Sequence, residues 1–369
     1  MADSRTAPRI DRPAAIEVEH LSRRFGPVEA VRDVTFRVEQ GEIFGLLGPN
    51  GAGKTTTIKV LLSLLKPSGG RVRILGIDVA DEPARARQHI GWVPQETAVD
   101  PLLTGRENLL LVAGMYHLPP AEAARRAQAL LDLVELTAAA DRVVREYSGG
   151  MRKRLDLAMG LVHRPAVLFL DEPTLGLDIQ TRRRLWEYIR TFRDQGTTIL
   201  LTTHYLEEAD WLCDRVAIID GGRIRALDSP GRLKARYGTE RLELRLAAGQ
   251  PAGPIARLVR RLEDLAVVTR VEAGGLVPAA GGAGEAGGTA MAVAQGAAGP
   301  ARLWLQVQDP VAALEPVLAA CREAGVVLEA LEARRATLDD VFLALTGRAL
   351  RDGNAAGGGE AAAAGVGED

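Results

Sequence analysis

Cysteine, aromatic residues and long hydrophobic runs are all scarce in this sequence. Its 369 residues contain two cysteines, Cys213 and Cys321, without the spacing of a metal site. We expect both to be reduced thiols that serve packing. No apolar run reaches the roughly 20 residues that a membrane span needs, and the start, MADSRTAPRI, lacks a hydrophobic signal core. These absences predict a cytosolic chain whose association with a membrane would be peripheral.

The chain also lacks a dominant charge. Its formal net charge is −2, from 46 Lys and Arg residues and 48 Asp and Glu residues. This balance does not create the positive field that is typical of nucleic-acid-binding proteins. The main cationic cluster, TRRRLWEYIR at 181–190, is flanked by acidic residues and has no aromatic ladder. A solvated helix face is the favoured interpretation, and we expect no nucleic-acid partner.

Hydrophobic patterns divide the chain into two predicted domains. Within 16–230, continuous apolar strands alternate with helices, which indicates an α/β domain with a parallel sheet covered on both faces. Within 239–347, the order strand, helix, strand, strand, helix, strand predicts a small ferredoxin-like α+β domain. A Gly- and Ala-rich segment, 274–300, interrupts this domain and is predicted to be flexible. Residues 1–15 and 348–369 are predicted to be a flexible arm and a disordered tail.

One phosphate-binding loop is complete. The stretch GPNGAGKTT matches G-x-x-x-x-G-K-[ST], between a predicted strand and a predicted helix. Its glycines let backbone N–H groups surround phosphate oxygens; Lys54 would reach the β- and γ-phosphates, and Thr55 would bind Mg²⁺. A chance match in a chain with 40 glycines is disfavoured by this context. The predicted nucleotide-binding residues of the loop are Gly48, Pro49, Asn50, Gly51, Ala52, Gly53, Lys54, Thr55 and Thr56.

Two later strands end in residues suited to hydrolysis. The buried-strand pattern AVLFLDEP ends at Asp171, which is placed to hold Mg²⁺, and Glu172 could polarise an attacking water as a general base. The next strand ends at His204, at the sheet edge where ligands collect in such folds. Alone, Gln95 is an ordinary surface glutamine, and Asp178 in PTLGLD could equally be a helix N-cap.

A second phosphate-binding turn occurs in YSGGMRKR, 147–154. Ser148 is predicted to cap a helix that begins near Gly149, and its N-terminus and glycine backbone would hold a phosphate. The apolar face of this helix is predicted to contain Met151, Leu155, Ala158 and Val162. A lone SGG turn would be a linker, so this prediction depends on the motifs around it.

In this order, the motifs over 16–230 resemble the ATP-binding subunit of an ABC transporter. The resemblance implies a P-loop ABC ATPase domain with a parallel sheet core, an antiparallel β subdomain and a helical subdomain. It implies ATP and Mg²⁺ as cofactors, with Thr55, Gln95 and Asp171 as the metal ligands. The predicted catalytic residues are Glu172, His204 and Gln95.

The same resemblance assigns the remaining motif residues. Phe25 would stack on adenine, with a core phenylalanine as the alternative, and Asp178 would lie in the D-loop. The turn Ser148, Gly149 and Gly150 resembles the ABC signature, which binds the nucleotide of a partner subunit in a head-to-tail homodimer. One chain then needs two phosphate-binding surfaces and a single P-loop lysine. Tyr147 and Met151 replace the usual leucine and glutamine, and neither change removes the serine hydroxyl or the glycine backbone.

The C-terminal stretch RRATLDDVFLALTGR, 334–348, reads as a helix capped by Thr337 with Asp340 at its third position. Its predicted apolar face is Leu338, Val341, Phe342 and Leu345. The stretch resembles the C-terminal element of daunorubicin-resistance ABC ATPases, which implies ATP-driven export of a drug-like, lipid or polysaccharide substrate through a separate membrane permease, at the cytoplasmic face of the membrane. The alternative is a soluble ABC ATPase in translation or DNA repair. The chain has one cassette and no long coiled-coil insertion, which disfavours that alternative.

Overall fold

The computed structural model describes residues 13–274, 276–278, 291–293 and 302–347. These residues form two compact units that divide between Pro230 and Gly231. The first strand begins at Ala14, so the last two residues of the predicted N-terminal arm, Ala14 and Ala15, are strand residues. The rest of the predicted arm up to residue 12 and the predicted tail at 348–369 lie outside the described residues.

The first unit contains ten strands and seven α-helices among its described residues. In chain order these are β1 (Ala14–Phe25), β2 (Val28–Glu39), β3 (Ile43–Leu47), α1 (Lys54–Leu61), β4 (Gly69–Ile74), β5 (Ile77–Asp78), α2 (Pro83–Arg87), β6 (Ile90–Val93), α3 (Gly105–Met115), α4 (Pro120–Leu133), α5 (Gly149–Gly160), β7 (Val167–Asp171), α6 (Ile179–Asp194), β8 (Thr198–Thr203), α7 (Leu206–Leu212), β9 (Arg215–Asp220) and β10 (Arg223–Asp228).

A six-stranded sheet in the order β10-β9-β3-β8-β7-β6 forms the centre of this unit. Its strands are parallel except for the antiparallel pair β9–β10. Every residue of β3, β7 and β8 is buried, as expected for parallel strands that are covered on both faces. The continuous apolar pattern of the sequence therefore correctly predicted the parallel core.

A second sheet, in the antiparallel order β2-β1-β4-β5, packs near the first. One hydrophobic cluster joins residues of both sheets and α1, including Val34, Phe44, Ile58, Val72 and Phe169. Helices α3 and α4 pack on each other and on α5. Thr104 and Glu107 form the predicted capping box at the start of α3. The parallel core, antiparallel subdomain and helical subdomain are thus all present.

The second unit has the predicted order of strands and helices. It contains α8 (Pro230–Tyr237), which begins at the division, β11 (Glu240–Leu246), α9 (Ala252–Glu263), β12 (Val268–Gly274), β13 (Leu276–Pro278), β14 (Met291–Val293), β15 (Arg302–Val307), α10 (Pro310–Ala324), β16 (Leu328–Arg334) and α11 (Leu338–Thr346). The antiparallel sheet order β12-β15-β11-β16 is that of a ferredoxin-like fold. Leu244, Leu258, Leu305 and Val317 join sheet and helices in one core.

The segment predicted to be a flexible insertion, 274–300, contains one local pairing. Strands β13 and β14 form an antiparallel pair, and the flexibility of the segment stays a prediction. Each of the two strands contains a short apolar run, which is not apparent when the composition is averaged over the whole segment. Residues 275, 279–290 and 294–301 lie outside the described residues. Across the described ranges, no helix has both the length and the hydrophobicity to cross a lipid bilayer.

Candidate nucleotide site

The sheet order brings four separated motifs to one edge. Strands β3, β8, β7 and β6 are neighbours and run parallel, so their carboxyl ends lie side by side. The P-loop follows β3, His204 follows β8 and Glu172 follows β7, while Gln95 comes two residues after β6. This is the edge at which parallel α/β sheets bind ligands.

The P-loop needs glycine at Gly53 for two reasons. Its φ angle is 101°, in the left-handed region, and a Cβ added there would lie 2.5 Å from the Ala30 carbonyl oxygen. Lys54, the next residue, begins α1 and is buried. Its Nζ donates to the Gly48 carbonyl at 2.8 Å and to the Pro49 carbonyl at 3.2 Å. These two hydrogen bonds hold the side-chain nitrogen of Lys54 in a fixed place within the loop.

Glu172 lies between two groups that can be cationic. Its Oε1 is 3.2 Å from Lys54 Nζ, and its Oε2 is 3.2 Å from His204 Nδ1. The His204 and Glu172 atoms are close enough for an ion pair, and this contact favours the charged form of the carboxylate. Burial alone would raise the pKa of Glu172, but the contacts with His204 and Lys54 outweigh burial and lower this pKa. The carboxylate is therefore held in the ionised form that a general base requires.

The backbone of Glu172 is strained. Its φ angle is +48°, in a region that residues other than glycine seldom adopt. Two contacts from β8 hold it there, because the Glu172 N–H donates to the Thr202 carbonyl at 3.1 Å and to the Thr202 hydroxyl at 3.0 Å. Such strain is typical of functional positions that the surrounding structure fixes.

Two of the predicted Mg²⁺ ligands are in contact. The Thr55 hydroxyl donates to Asp171 Oδ1 at 3.3 Å, and the Thr202 hydroxyl donates to the same oxygen at 2.5 Å. A hydroxyl and a carboxylate are hard oxygen donors of the kind that Mg²⁺ prefers. Gln95 lines the same cleft as Thr55. The three residues named from the sequence therefore fit a Mg²⁺ ion bound beside a nucleotide.

A cleft of about 450 Å³ collects the other predicted residues. It is lined by Phe25, Gln95, Glu172 and most of the P-loop. Phe25 is 44% exposed, with the Arg23 guanidinium 4.6 Å from its ring centroid. The alternative that Phe25 is a core residue is therefore wrong, and one aromatic ring is available to a ligand in the cleft.

The second phosphate-binding turn lies on another part of the same unit. Ser148 caps α5 as predicted, since its hydroxyl accepts from the Met151 N–H at 3.2 Å. Gly149 is open, and no described atom lies within 4 Å of a Cβ added there; at Gly150 the added atom would be 2.7 Å from Thr181 Cγ2. Thr181 in turn donates to Asp178, which caps α6. The signature and D-loop segments of one chain are thus neighbours.

Sequence comparison identifies the family. An ABC transporter family model matches residues 31–175. The daunorubicin resistance ATP-binding protein DrrA2 of Streptomyces coeruleorubidus is 42% identical over 333 residues, 90% of this chain and 95% of that protein. A Nod factor export ATP-binding protein I of Ralstonia nicotianae is 37% identical, over 94% of this chain and 98% of that protein. The chain belongs to the daunorubicin-resistance family of ABC ATPases.

A solved structure agrees with this assignment. A dimeric ATP-binding cassette in a post-hydrolysis state, bound to ADP and Pi, is 26% identical, with a TM-score of 0.53 over 58% of this chain and 98% of that one. The match confirms the ABC ATPase fold of the first unit. The chain is accordingly an ATPase of the ABC type.

The three cations that follow the signature turn of this ABC ATPase bind backbone oxygens. Arg152 donates to the Arg145 carbonyl at 2.9 Å, and Arg154 donates to the Val134 carbonyl at 2.9 Å. Lys153 points to other carbonyls, described below. These side chains fix the position of α5. Because these cations bind carbonyl oxygens, a phosphate at this turn would meet the Ser148 hydroxyl, the backbone N–H groups and the positive end of the helix dipole.

Tyr147, which replaces the usual leucine, has a structural role. Its ring is buried, and its hydroxyl donates to the Ala139 carbonyl at 2.5 Å. A buried tyrosine keeps the apolar contact of leucine, provided that its hydroxyl finds a partner. The departure from the usual signature therefore leaves the phosphate-binding atoms untouched. Of the predicted apolar face of α5, Leu155 and Ala158 are buried, and Met151 is half buried. Val162 is also buried, but it lies two residues beyond the end of the helix.

Sequence reasoning missed two buried charges on α5. Lys153 Nζ donates to the carbonyls of Pro94 at 3.0 Å and Gln95 at 3.3 Å, and lies 3.7 Å from Asp156 Oδ2. Asp156 Oδ1 accepts from the Ala98 N–H at 3.3 Å. Burial lowers the pKa of Lys153 and raises that of Asp156 to about 6. The signal that could have found them is a Lys and an Asp three residues apart on the otherwise apolar side of the helix.

The C-terminal helix α11 has the predicted local structure. Thr337 and Asp340 form a capping box, and Leu338, Val341 and Phe342 are buried, while Leu345 is half buried. Asp340 Oδ1 also lies 3.7 Å from Arg241 Nη2 of β11. Both cysteines, Cys213 and Cys321, are free and buried, as a packing role requires.

Proposed function

We propose that this ABC ATPase hydrolyses ATP to energise export of a drug-like, lipid or polysaccharide substrate through a separate membrane permease. The observation that carries the proposal is the single cleft that joins Phe25, the P-loop, Gln95 and Glu172. Relatives named for daunorubicin resistance and for Nod factor export support outward transport. The chain would act at the cytoplasmic face of the membrane as a peripheral subunit.

Each residue of the cleft has a proposed role. Phe25 stacks on the adenine ring, and the P-loop N–H groups with Lys54 bind the β- and γ-phosphates. Glu172 accepts a proton from the attacking water, because it is buried, ionised and at the end of β7. His204 contacts the γ-phosphate and supports the charge of Glu172 from 3.2 Å.

Thr55, Asp171 and Gln95 are the proposed Mg²⁺ ligands. When bound, the ion would neutralise phosphate charge in the transition state. The chain's own contribution is to fix these ligands: the Thr202 hydroxyl orients Asp171, and Lys153 holds the backbone of Gln95. These contacts support a metal site that is set before the nucleotide binds.

The active unit is proposed to be a head-to-tail homodimer. Each ATP would lie between the P-loop of one subunit and Ser148, Gly149 and Gly150 of the other, next to Asp178 in the D-loop. Gly149 is exposed and open, which suits a surface that receives a partner's phosphate. A related cassette forms a dimer with ADP and Pi bound, which supports the same assembly here.

The test separates ATP binding from export. Lys54→Ala should weaken ATP binding because it removes the cation nearest the phosphates, whereas Lys59→Ala, an exposed lysine of the same helix, should leave binding unchanged. Cells that express the chain with its permease should accumulate less daunorubicin than cells that express Lys54→Ala. Equal accumulation with active ATP hydrolysis would reject this substrate; unchanged ATP binding by Lys54→Ala would reject the site itself.

A further inference from the structure

Two charged side chains of α5 are buried together. Lys153 is 6% exposed and Asp156 is 2% exposed, one turn apart on the helix. Lys153 Nζ lies 3.7 Å from Asp156 Oδ2, an oxygen that accepts no hydrogen bond from a described residue. A buried ion pair usually stabilises a fold no better than apolar residues of similar volume. This pair therefore calls for an explanation other than stability.

The partners of the pair lie in one short segment. Lys153 donates to the carbonyls of Pro94 and Gln95, and Asp156 accepts from the N–H of Ala98. The ion pair thus holds the backbone on both sides of Gln95, a residue that lines the nucleotide cleft. Any displacement of this segment must either break these contacts or move α5.

The same helix begins with the signature turn. Lys153 lies five residues after Ser148, which corresponds to about 7.5 Å along a helix axis. The turn is fixed to α5 by the bond from the Met151 N–H to the Ser148 hydroxyl. A helix this short transmits displacement as a rigid body, so motion at Lys153 reaches Gly149 directly.

We propose that Lys153 and Asp156 are positioning residues that couple the Q-loop of one nucleotide site to the signature turn that the same chain presents to the other site. The inference rests on the proposed function, because it takes the roles of Gln95 and Ser148 from it. ATP and Mg²⁺ at one P-loop set the position of the Gln95 backbone. The ion pair carries that position to α5 and so controls how the signature turn meets the partner's phosphate.

The first test does not require ATP hydrolysis. Hydrogen exchange of segment 148–155 is followed by mass spectrometry in the Glu172→Gln background, with and without Mg²⁺ and ATP. Protein concentration is kept where light scattering gives the mass of a monomer. ATP should change exchange in the signature segment when the ion pair is present. In Lys153→Met combined with Asp156→Leu, this change should disappear while the change in the P-loop remains.

Two variants separate coupling from simple stability. Lys153→Arg keeps a cation that can donate to carbonyls and should restore the exchange change. Arg215→Met with Glu42→Leu removes another largely buried ion pair. This pair joins the amino-terminal ends of the parallel strands β3 and β9, at the edge of the sheet opposite the nucleotide site, and its removal should leave the signature response intact. The proposal is overturned if the Lys153 and Asp156 double variant keeps the response, or if the control pair abolishes it as well.

Kinetics provide a second readout. If the two sites are coupled, ATPase activity should depend cooperatively on ATP concentration, and the Hill coefficient should be above 1. In the Lys153 and Asp156 double variant, the Hill coefficient should fall to about 1. The kcat should decrease by at least about tenfold, while the ATP affinity of the monomer should stay within about twofold of wild type. A wild-type enzyme that hydrolyses ATP without cooperativity would overturn the coupling and leave the proposed function standing. Absence of hydrolysis with the permease would instead reject the proposed function.

Discussion

The two phosphate-binding regions of this chain differ in what they contain. The P-loop is fixed between β3 and α1, encloses the buried Lys54, and lies beside Asp171 and Glu172. The signature turn is exposed at the start of α5, and the cations that follow it donate to backbone carbonyls. The first region has a lysine, the proposed metal ligands and the proposed general base. The second region offers a hydroxyl, backbone N–H groups and a helix dipole.

This difference supports the proposal that the two regions bind one nucleotide from two chains. Neutral donors at a helix N-terminus contribute only modest binding energy to an anion in water. Such a surface recognises a phosphate that something else already holds. The P-loop, with its cation and metal ligands, can hold a nucleotide alone. In the proposed dimer, the signature turn is therefore a second contact that completes the site of a partner subunit.

The largest effect on ATP hydrolysis is expected from a change of the proposed general base, Glu172. Glu172→Gln keeps the size of the side chain but removes the proton acceptor, so turnover should fall about 10²- to 10⁴-fold while ATP affinity stays close to wild type. The measurement is steady-state ATPase activity beside equilibrium ATP binding. Glu187→Gln, an exposed glutamate of α6, is the matched control. Turnover of Glu172→Gln near that of wild type would remove the general-base assignment.

A charge in the signature turn should give the next largest effect. Gly149→Asp places a carboxylate at an open position, where two like charges 4 Å apart repel by about 4 kcal/mol at an effective dielectric constant of 20. Hydrolysis should fall by up to about a thousandfold, and ATP binding by the monomer should persist. Gly150→Asp would also collide with Thr181, so loss of activity in that variant could come from the added charge or from the steric clash.

Mixing inactive subunits sharpens the same comparison. Lys54→Ala and Gly149→Asp subunits form mixed dimers in which one site carries both lesions and the other carries none. Activity should return on mixing if one intact site suffices. If both sites must fire together, the Glu172→Gln protein should still dimerise with ATP, as measured by light scattering. Neither recovered activity nor an ATP-dependent dimer, even with the permease, would refute the shared site.

Removal of the signature hydroxyl should have a smaller effect. Ser148→Ala loses a helix cap, which costs about 1 kcal/mol of stability, and one bond to phosphate, so hydrolysis should fall about tenfold. Thr104→Ala removes the corresponding cap of α3 and should cost similar stability without the loss of activity. Thermal melts and ATPase assays of both variants give the comparison. Equal activity losses would mean that Ser148 acts only as a cap.

The smallest effect is expected in the second unit. Replacing 279–290 with a short Gly-Ser turn keeps β13 and β14 and shortens only the connection between them. Loop length changes closure entropy slowly, by about 0.6 kcal/mol per doubling, so ATPase activity and the melting temperature should stay near wild type. A second variant that also removes β13 and β14 tests whether their pairing, which lies beside α9, contributes to stability. A large loss in the first variant would show that 279–290 packs on the protein.

Local features were predictable where local chemistry decides them. The P-loop, the buried strand before Asp171, and the caps at Thr104, Ser148 and Thr337 follow from residue types at fixed spacings. The pairing of β13 with β14 inside the insertion was not predicted, because the pairing of two short runs depends on their meeting in space.

The sequence by itself determined the fold class and the phosphate loop, and it named the candidate site residues, because backbone dihedrals and hydrophobic periodicity are encoded locally. Only the tertiary structure decided what the side chains touch. It left Phe25 exposed in the cleft, strained Glu172 between Lys54 and His204, and turned the cations of α5 toward carbonyl oxygens. These outcomes depend on the strand order β3-β8-β7-β6, which brings together residues more than a hundred positions apart.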